Sequence, residues 1–139
     1  MIVRDVMTPN PQTIRVTDSI GKALEILYEL DVRHVPVVDR GTLVGLLSDR
    51  DLRSYSPSAM AAFRDRDAVS ARLAQSVSTI MSGDVVAVDP EDSVSEVVRL
   101  MIDYKFGAVP VVDSVEGGLV GIVSYLDVLK AVEEIVEDL

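Results

Sequence analysis

The chain has 139 residues, 48% of them hydrophobic, no cysteine and a formal net charge of −10. That length suits a single domain, the apolar content argues against disorder, and the lack of cysteine excludes disulfide and thiol chemistry. Residues 1–76 carry no net charge and residues 77–139 carry all −10, a balance that repels nucleic-acid backbone and disfavours a general DNA or RNA binder.

Residues 4–7 read as a short helical turn, and Pro9 and Pro11 mark a loop. Thr13-Ile14-Arg15-Val16 is a short strand. Thr17 or Asp18 is placed to cap a helix running to about Asp31, with Ile20, Ala23, Leu24, Leu27 and Leu30 at the spacing of one buried face. Residues 35–39 and 43–48 are β-rich runs joined by a tight turn at Gly41, and a helix is expected from Asp49. Ser56-Pro57 is a cap and first-turn pair opening an alanine-rich connecting helix over 59–74. Its Arg64, Arg66 and Arg72 are expected to pair with Asp65 and Asp67 in solvent. The same order then returns. Residues 85–88 form a strand, and 92–105 a helix with Val94, Val97, Val98 and Met101 inside. Residues 109–113 and 119–124 form two strands, and a last helix runs from Tyr125 towards Glu137. No apolar run approaches the ~18 residues of a membrane span, and the N-terminus opens no signal-peptide core, so a cytoplasmic location is expected.

The return is a true internal repeat. Val-Pro-Val-Val-Asp stands at 35–39 and at 109–113. Leu-Val-Gly-Leu-Leu-Ser-Asp-Arg-Asp at 43–51 matches Leu-Val-Gly-Ile-Val-Ser-Tyr-Leu-Asp at 119–127. Such a repeat predicts two similar units, with any site doubled or split. Each copy is small enough to bury only a marginal fraction of its surface, so the two are expected to share a core. The domain reading is repeat 1 over 1–55, a connecting helix or linker over 56–76, and repeat 2 over 77–139, with each repeat β-α-β-β-α in an α/β (α+β) fold.

Catalytic groups are scarce. His34 is the one histidine, and no Ser-His-Asp spacing, metal box or phosphate-binding loop is present. The doubled Ser-x-x-Asp, Ser48 with Asp51 and Ser124 with Asp127, stands out. Capping of a following helix accounts for it, although capping boxes favour Glu or Gln at the third position. The other reading is that a short carboxylate at a helix start accepts hydrogen bonds from a vicinal diol such as ribose.

Taken together, the Val-Pro-Val-Val-Asp runs, the Gly-x-x-Ser-x-x-Asp runs at 45–51 and 121–127, and the Val-Met and Ile-Met pairs at 6–7 and 80–81 resemble the tandem CBS domain pair, or Bateman module. The resemblance covers nearly the whole chain and implies two repeats packed about a pseudo-twofold axis, with ligand clefts between them. It implies that Asp51 and Asp127, assisted by Ser48 and Ser124, hold a ribose. Thr13 and Ile14, with Ala87 and Val88 as their counterparts, would read the adenine edge, and Val35, Pro36, Val109 and Pro110 would line the clefts. Arg33, His34 and Arg50 resemble phosphate-contacting positions. Their matches in the second copy are Gly107, Ala108 and Leu126, so the two clefts cannot be equivalent and only one good phosphate site is expected, its ribose on Asp127 if the phosphates are reached across the pseudo-twofold axis or on Asp51 if the site is local.

The function implied is a non-catalytic regulatory module with no required cofactor. It would sense an adenine nucleotide (AMP, ADP or ATP) or S-adenosylmethionine and act in trans on a protein target. The resemblance also implies a homodimer formed through helices, with Ile26, Leu100 and Ile102 as contact residues or core. The alternative is a structural dimerisation module whose clefts are vestigial.

Overall fold

A computed structural model describes all residues, 1–139. In chain order the elements are α1 (Val3–Val6), β1 (Thr8–Pro9), β2 (Ile14–Arg15), α2 (Ile20–Leu30), β3 (His34–Asp39), β4 (Thr42–Ser48), α3 (Pro57–Met60), α4 (Arg66–Leu73), α5 (Val94–Tyr104), β5 (Ala108–Val112), β6 (Leu119–Ser124) and α6 (Tyr125–Glu137). They form two compact units, residues 12–85 and residues 1–11 with 86–139. The repeat pattern assigns residues 1–11 to the first copy. In the fold they complete the unit built on the second.

In the unit of residues 12–85 the sheet order is β2-β3-β4, with β2 parallel and β4 antiparallel to β3. Its core gathers Ile14, Ile20, Val35, Val37, Leu47 and Val77, each at most 1% exposed. The apolar face of α2 supplies Ile20 and Ala23. Ser19, one residue beyond the expected cap, accepts the Lys22 N–H and opens that helix.

The other unit has the order β1-β6-β5, both neighbours antiparallel to β6. Val3, Val97, Val109, Val111 and Val123 are fully buried there. The repeat extends into backbone detail. Both β-hairpins carry an irregularity, between Val37 and Val38 and between Val111 and Val112. Both first helices end on a left-handed residue, Asp31 at φ 50° and Lys105 at φ 61°.

Three departures have local causes. The strand expected over 85–88 shrinks to a single bridge of Val88 to Val111. Its counterpart in the other unit is longer because the Val16 N–H donates to the Val38 carbonyl at 2.9 Å. The matching residue is Pro90, which has no N–H to give. The helix expected at Asp49 becomes a 3₁₀ turn over Arg53–Tyr55. Pro57 would clash with the carbonyl four residues back, and Ser56 turns extended to cap α3 through the Ala59 N–H. The connecting segment is two short helices rather than one, because Asp65 leaves helical geometry and caps α4 through the Asp67 N–H. Without an equivalent proline the second copy runs on as the 13-residue α6.

Of the three apolar helix residues singled out for a dimer contact, Ile26 and Leu100 pack against their own cores. Ile102 is 55% exposed. No helix is long and apolar enough to cross a membrane.

Candidate functional site

Each Ser-x-x-Asp sits where the last strand of a hairpin ends, and the two boxes have nearly identical geometry. In one unit Asp127 Oδ2 accepts the Ser124 N–H at 2.8 Å and the Ser124 hydroxyl at 3.0 Å, while Ser124 Oγ accepts the Asp127 N–H at 3.2 Å. In the other, Asp51 Oδ2 accepts the Ser48 N–H at 2.8 Å and the Ser48 hydroxyl at 3.1 Å, and Ser48 Oγ accepts the Asp51 N–H at 3.4 Å. Capping is therefore realised at α6. At Asp51 the same bonds close a turn. In both, the box occupies only Oδ2 and fixes the direction in which Oδ1 presents its lone pairs. A carboxylate held this way is preorganised to accept further hydrogen bonds.

Asp127 has one further contact. The Thr8 hydroxyl, carried by β1 alongside β6, donates to Asp127 Oδ1 at 3.4 Å. Sequence reasoning missed Thr8. Its signal was the hydroxyl that follows each repeated methionine, Thr8 after Met7 and Ser82 after Met81.

Arg33 and His34 lie at the end of β3 that adjoins this turn in residues 12–85. His34 pairs in register with Ser48, and the Asp49 N–H donates to the Arg33 carbonyl at 2.9 Å. Arg33, His34, Ser48, Asp49, Arg50 and Asp51 are thus gathered at one end of the β3–β4 hairpin, with Arg33 and Arg50 exposed. The equivalent backbone bond in the other unit, Tyr125 N–H to the Gly107 carbonyl at 3.1 Å, brings no cation with it. That unit has a net charge of −9 against −1 for residues 12–85.

Burial lowers the pKa of His34 from its ordinary 6.5. The Arg33 guanidinium acts in the same direction, and Asp49 and Asp51 oppose them. The unfolded chain therefore takes up this proton before the folded one does. Stability is fully present above the ordinary value and falls as pH drops through it towards the folded value. Thermal melts between pH 8 and 5 should show this loss, and His34→Gln should remove it. A variant that retains the wild-type pH slope would place the titration elsewhere.

The other predicted residues are placed as follows. Thr13 is half-buried just before β2. Ile14, Val35, Pro36, Val88, Val109 and Pro110 are all buried, with Val35 and Val109 at 0% exposure. Their side chains are buried within their own units. Pro36 and Pro110 are tolerated because the short segment beside each needs only a carbonyl from it, as in the Val88 N–H to Pro110 carbonyl bond at 3.0 Å. A separate shallow groove between Val88 and α5, lined by Asp92, Glu96 and Arg99, contains neither Ser124 nor Asp127. No group of side chains suited to a metal ion is present.

Comparison with known proteins accounts for most of the chain. The CBS domain model matches residues 3–58 and 77–134. A CBS domain-containing protein of Dictyostelium discoideum is 30% identical over 138 residues, which is 99% of this chain and 94% of the relative. The crystal structure of CBSX2 in complex with AMP is similar at a TM-score of 0.78 and 31% identity, covering 96% of this chain and 97% of that one. The CBS domain pair of protein MJ0100, in complex with 5′-methylthioadenosine and S-adenosyl-L-methionine, is similar at a TM-score of 0.77 and 27% identity, covering 96% and 97%. Some relatives are far longer, and the chain spans 32% of an uncharacterized Methanocaldococcus jannaschii protein and 20% of a Methanocorpusculum labreanum homoserine O-acetyltransferase.

Proposed function

This chain belongs to the CBS domain family, and from that premise we propose that it is a non-catalytic sensor of an adenosyl ligand, acting on a partner in trans. The observation that carries the proposal is the pair of Ser–Asp boxes, each holding a carboxylate by one oxygen at the end of a hairpin. A ribose diol binds such a group through two hydroxyl donors. In this reading Asp51 and Asp127 hold the sugar, with Ser48 and Ser124 orienting them. Thr13-Ile14 and Ala87-Val88 present backbone to the base, and Arg33, His34 and Arg50 take phosphate. AMP, ADP, ATP and S-adenosylmethionine all carry the required diol. The relatives crystallised with AMP and with S-adenosylmethionine support that ligand class.

The test is calorimetry with AMP, ATP and S-adenosylmethionine on the wild type, Asp51→Ala and Asp127→Ala. Loss of one charged hydrogen-bond acceptor is expected to weaken the affected site by about 10- to 100-fold. Unchanged affinity in both variants would sink the assignment.

A second reading, a dimerisation module with vestigial clefts, is favoured by one feature. Leu126, Leu129, Val132 and Val136 form an exposed apolar stripe along α6. Wild-type protein that dimerises but shows no thermal shift with any adenosyl ligand would select it.

A further inference from the structure

The two carboxylates are held by different means. Asp127 is the third residue of α6 and inherits the rigidity of a 13-residue helix. Asp51 has no helix behind it. After it the chain continues as successive three-residue turns. The Leu52 N–H donates to Asp49, Arg53 to Arg50, Tyr55 to Leu52 and Ser56 to Arg53, all at 3.0–3.3 Å. Single turns of this kind have poor hydrogen-bond geometry and little cooperativity.

The run is held by burial of Leu52 and Tyr55 in the core of this unit and, at its far end, by Arg72. Its guanidinium carbon lies 4.2 Å from the centre of the buried Tyr55 ring and 5.5 Å from that of Phe63. One terminal nitrogen also reaches the Ser54 carbonyl at 3.5 Å. The expectation that Arg72 pairs with acidic neighbours in solvent is thereby corrected. Its Nε is buried without a hydrogen-bond partner, a cost that the ring contacts offset.

Arg72 is itself firmly based. Neighbouring Leu73 packs against Gly21 of α2, and the Ile20 N–H donates to the Gln75 carbonyl at 2.9 Å. The arginine thus pins the turn that begins at Asp51 to an element anchored on α2.

We propose that Arg72 is a positioning residue for the Asp51 carboxylate, so that docking of α4, the second helix of the connector, against the turn over 49–56 and ligand binding at Asp51 are coupled. The inference rests on the functional reading above. Its consequence is reciprocal by linkage: whatever undocks the connector weakens the ligand, and the ligand tightens the connector. A partner that engages residues 53–73 therefore has a direct route to this site.

The test is a double-mutant cycle read by calorimetry with AMP, using the wild type, Arg72→Ala, Asp51→Ala and the pair. Arg72→Ala should weaken AMP about tenfold, as befits loss of a partly desolvated cation–ring contact, and should add nothing once Asp51 is alanine. Arg72→Lys keeps the charge but not the planar face and should recover only part of the loss. Hydrogen exchange without ligand is the second readout. In Arg72→Ala the amides of residues 49–56 should exchange faster while those of residues 124–130 do not change. An Arg72→Ala protein with a lower melting temperature but wild-type AMP affinity and wild-type exchange over 49–56 would overturn the inference. Failure of the wild type to bind any adenosyl ligand would overturn the functional reading and with it the coupling. Faster exchange over 49–56 would then still establish that Arg72 positions the Asp51 turn, and unchanged exchange would reject that too.

Discussion

Replacing Arg33 and Arg50 together with alanine is expected to weaken AMP and ATP roughly tens- to thousands-fold and to leave adenosine binding nearly unchanged. The contrast between ligands isolates the phosphate. Each arginine–phosphate bond is charge-assisted, and because both arginines are exposed, solvent screening brings it below the about 1.5–3 kcal/mol of a desolvated pair; adenosine makes neither. Both arginines stand at the end of the β3–β4 hairpin that carries Asp51, in the unit with a net charge of −1. The other unit presents Gly107, Ala108 and Leu126 at the matching positions and has a net charge of −9. An anion therefore meets two cations at one box and an acidic surface at the other. Added salt should weaken wild-type AMP binding and have less effect on the double variant, because screening acts on the term the substitutions remove. Calorimetry with both ligands at two ionic strengths checks this. Equal losses for adenosine and AMP would show that the arginines support the hairpin and not the phosphate.

Most of the architecture was legible because it is written in local periods. The 3,4 spacing from Ile20 to Leu30 and from Val94 to Met101 predicts two amphipathic helices, and both form. The Val-Pro-Val-Val and Leu-Val-Gly runs predict two hairpins, and both form. What was not legible is non-local. Nothing in residues 1–11 says that Thr8 and Pro9 will pair with Ile122 and Gly121, more than a hundred residues away. That pairing decides which unit the N-terminus joins and places Thr8 at Asp127. Ser56-Pro57 reads as a helix start and a helix begins there, but the same proline is also a stop for whatever precedes it, which is why only a 3₁₀ turn follows Asp51. The Ser-x-x-Asp motif was ambiguous between cap and anchor. The geometry shows the cap at α6, where Asp127 uses Oδ2 within the box and Oδ1 for the Thr8 hydroxyl. The ring contacts of Arg72 are not legible, because its partners lie 9 and 17 residues away across a break between two short helices.

Gly121→Ala should destabilise the protein by about 1–3 kcal/mol, the usual cost of forcing a methyl group into a filled space. A Cβ at Gly121 would stand 2.5 Å from Met7 Sδ and 3.1 Å from the Thr8 carbonyl. The glycine is there because a methionine side chain and a strand backbone both cross it closely. Residues 12–85 repeat the device, with Gly45 under Met81 Sδ at 2.6 Å and the Ser82 carbonyl at 3.0 Å. The paired Val-Met and Gly-x-x-Ser-x-x-Asp motifs are therefore two halves of one contact, which explains why both recur in each copy. Met7→Ala alone removes a partly buried side chain and costs less than the about 2–5 kcal/mol of a fully buried one, but the added methyl of Gly121→Ala moves into the space left. The double variant should accordingly be less destabilised than the two single losses combined, while its Thr8 carbonyl contact stays tight. Urea denaturation of the four proteins measures the cycle. Additive losses would mean that Met7 and Gly121 do not meet. The functional consequence follows from Thr8: pushing β1 off β6 pulls the Thr8 hydroxyl from Asp127 Oδ1. Gly121→Ala should then change the affinity of an adenosyl ligand at Asp127, and Gly45→Ala, whose Cβ meets Met81 and Ser82 and not Thr8, should not.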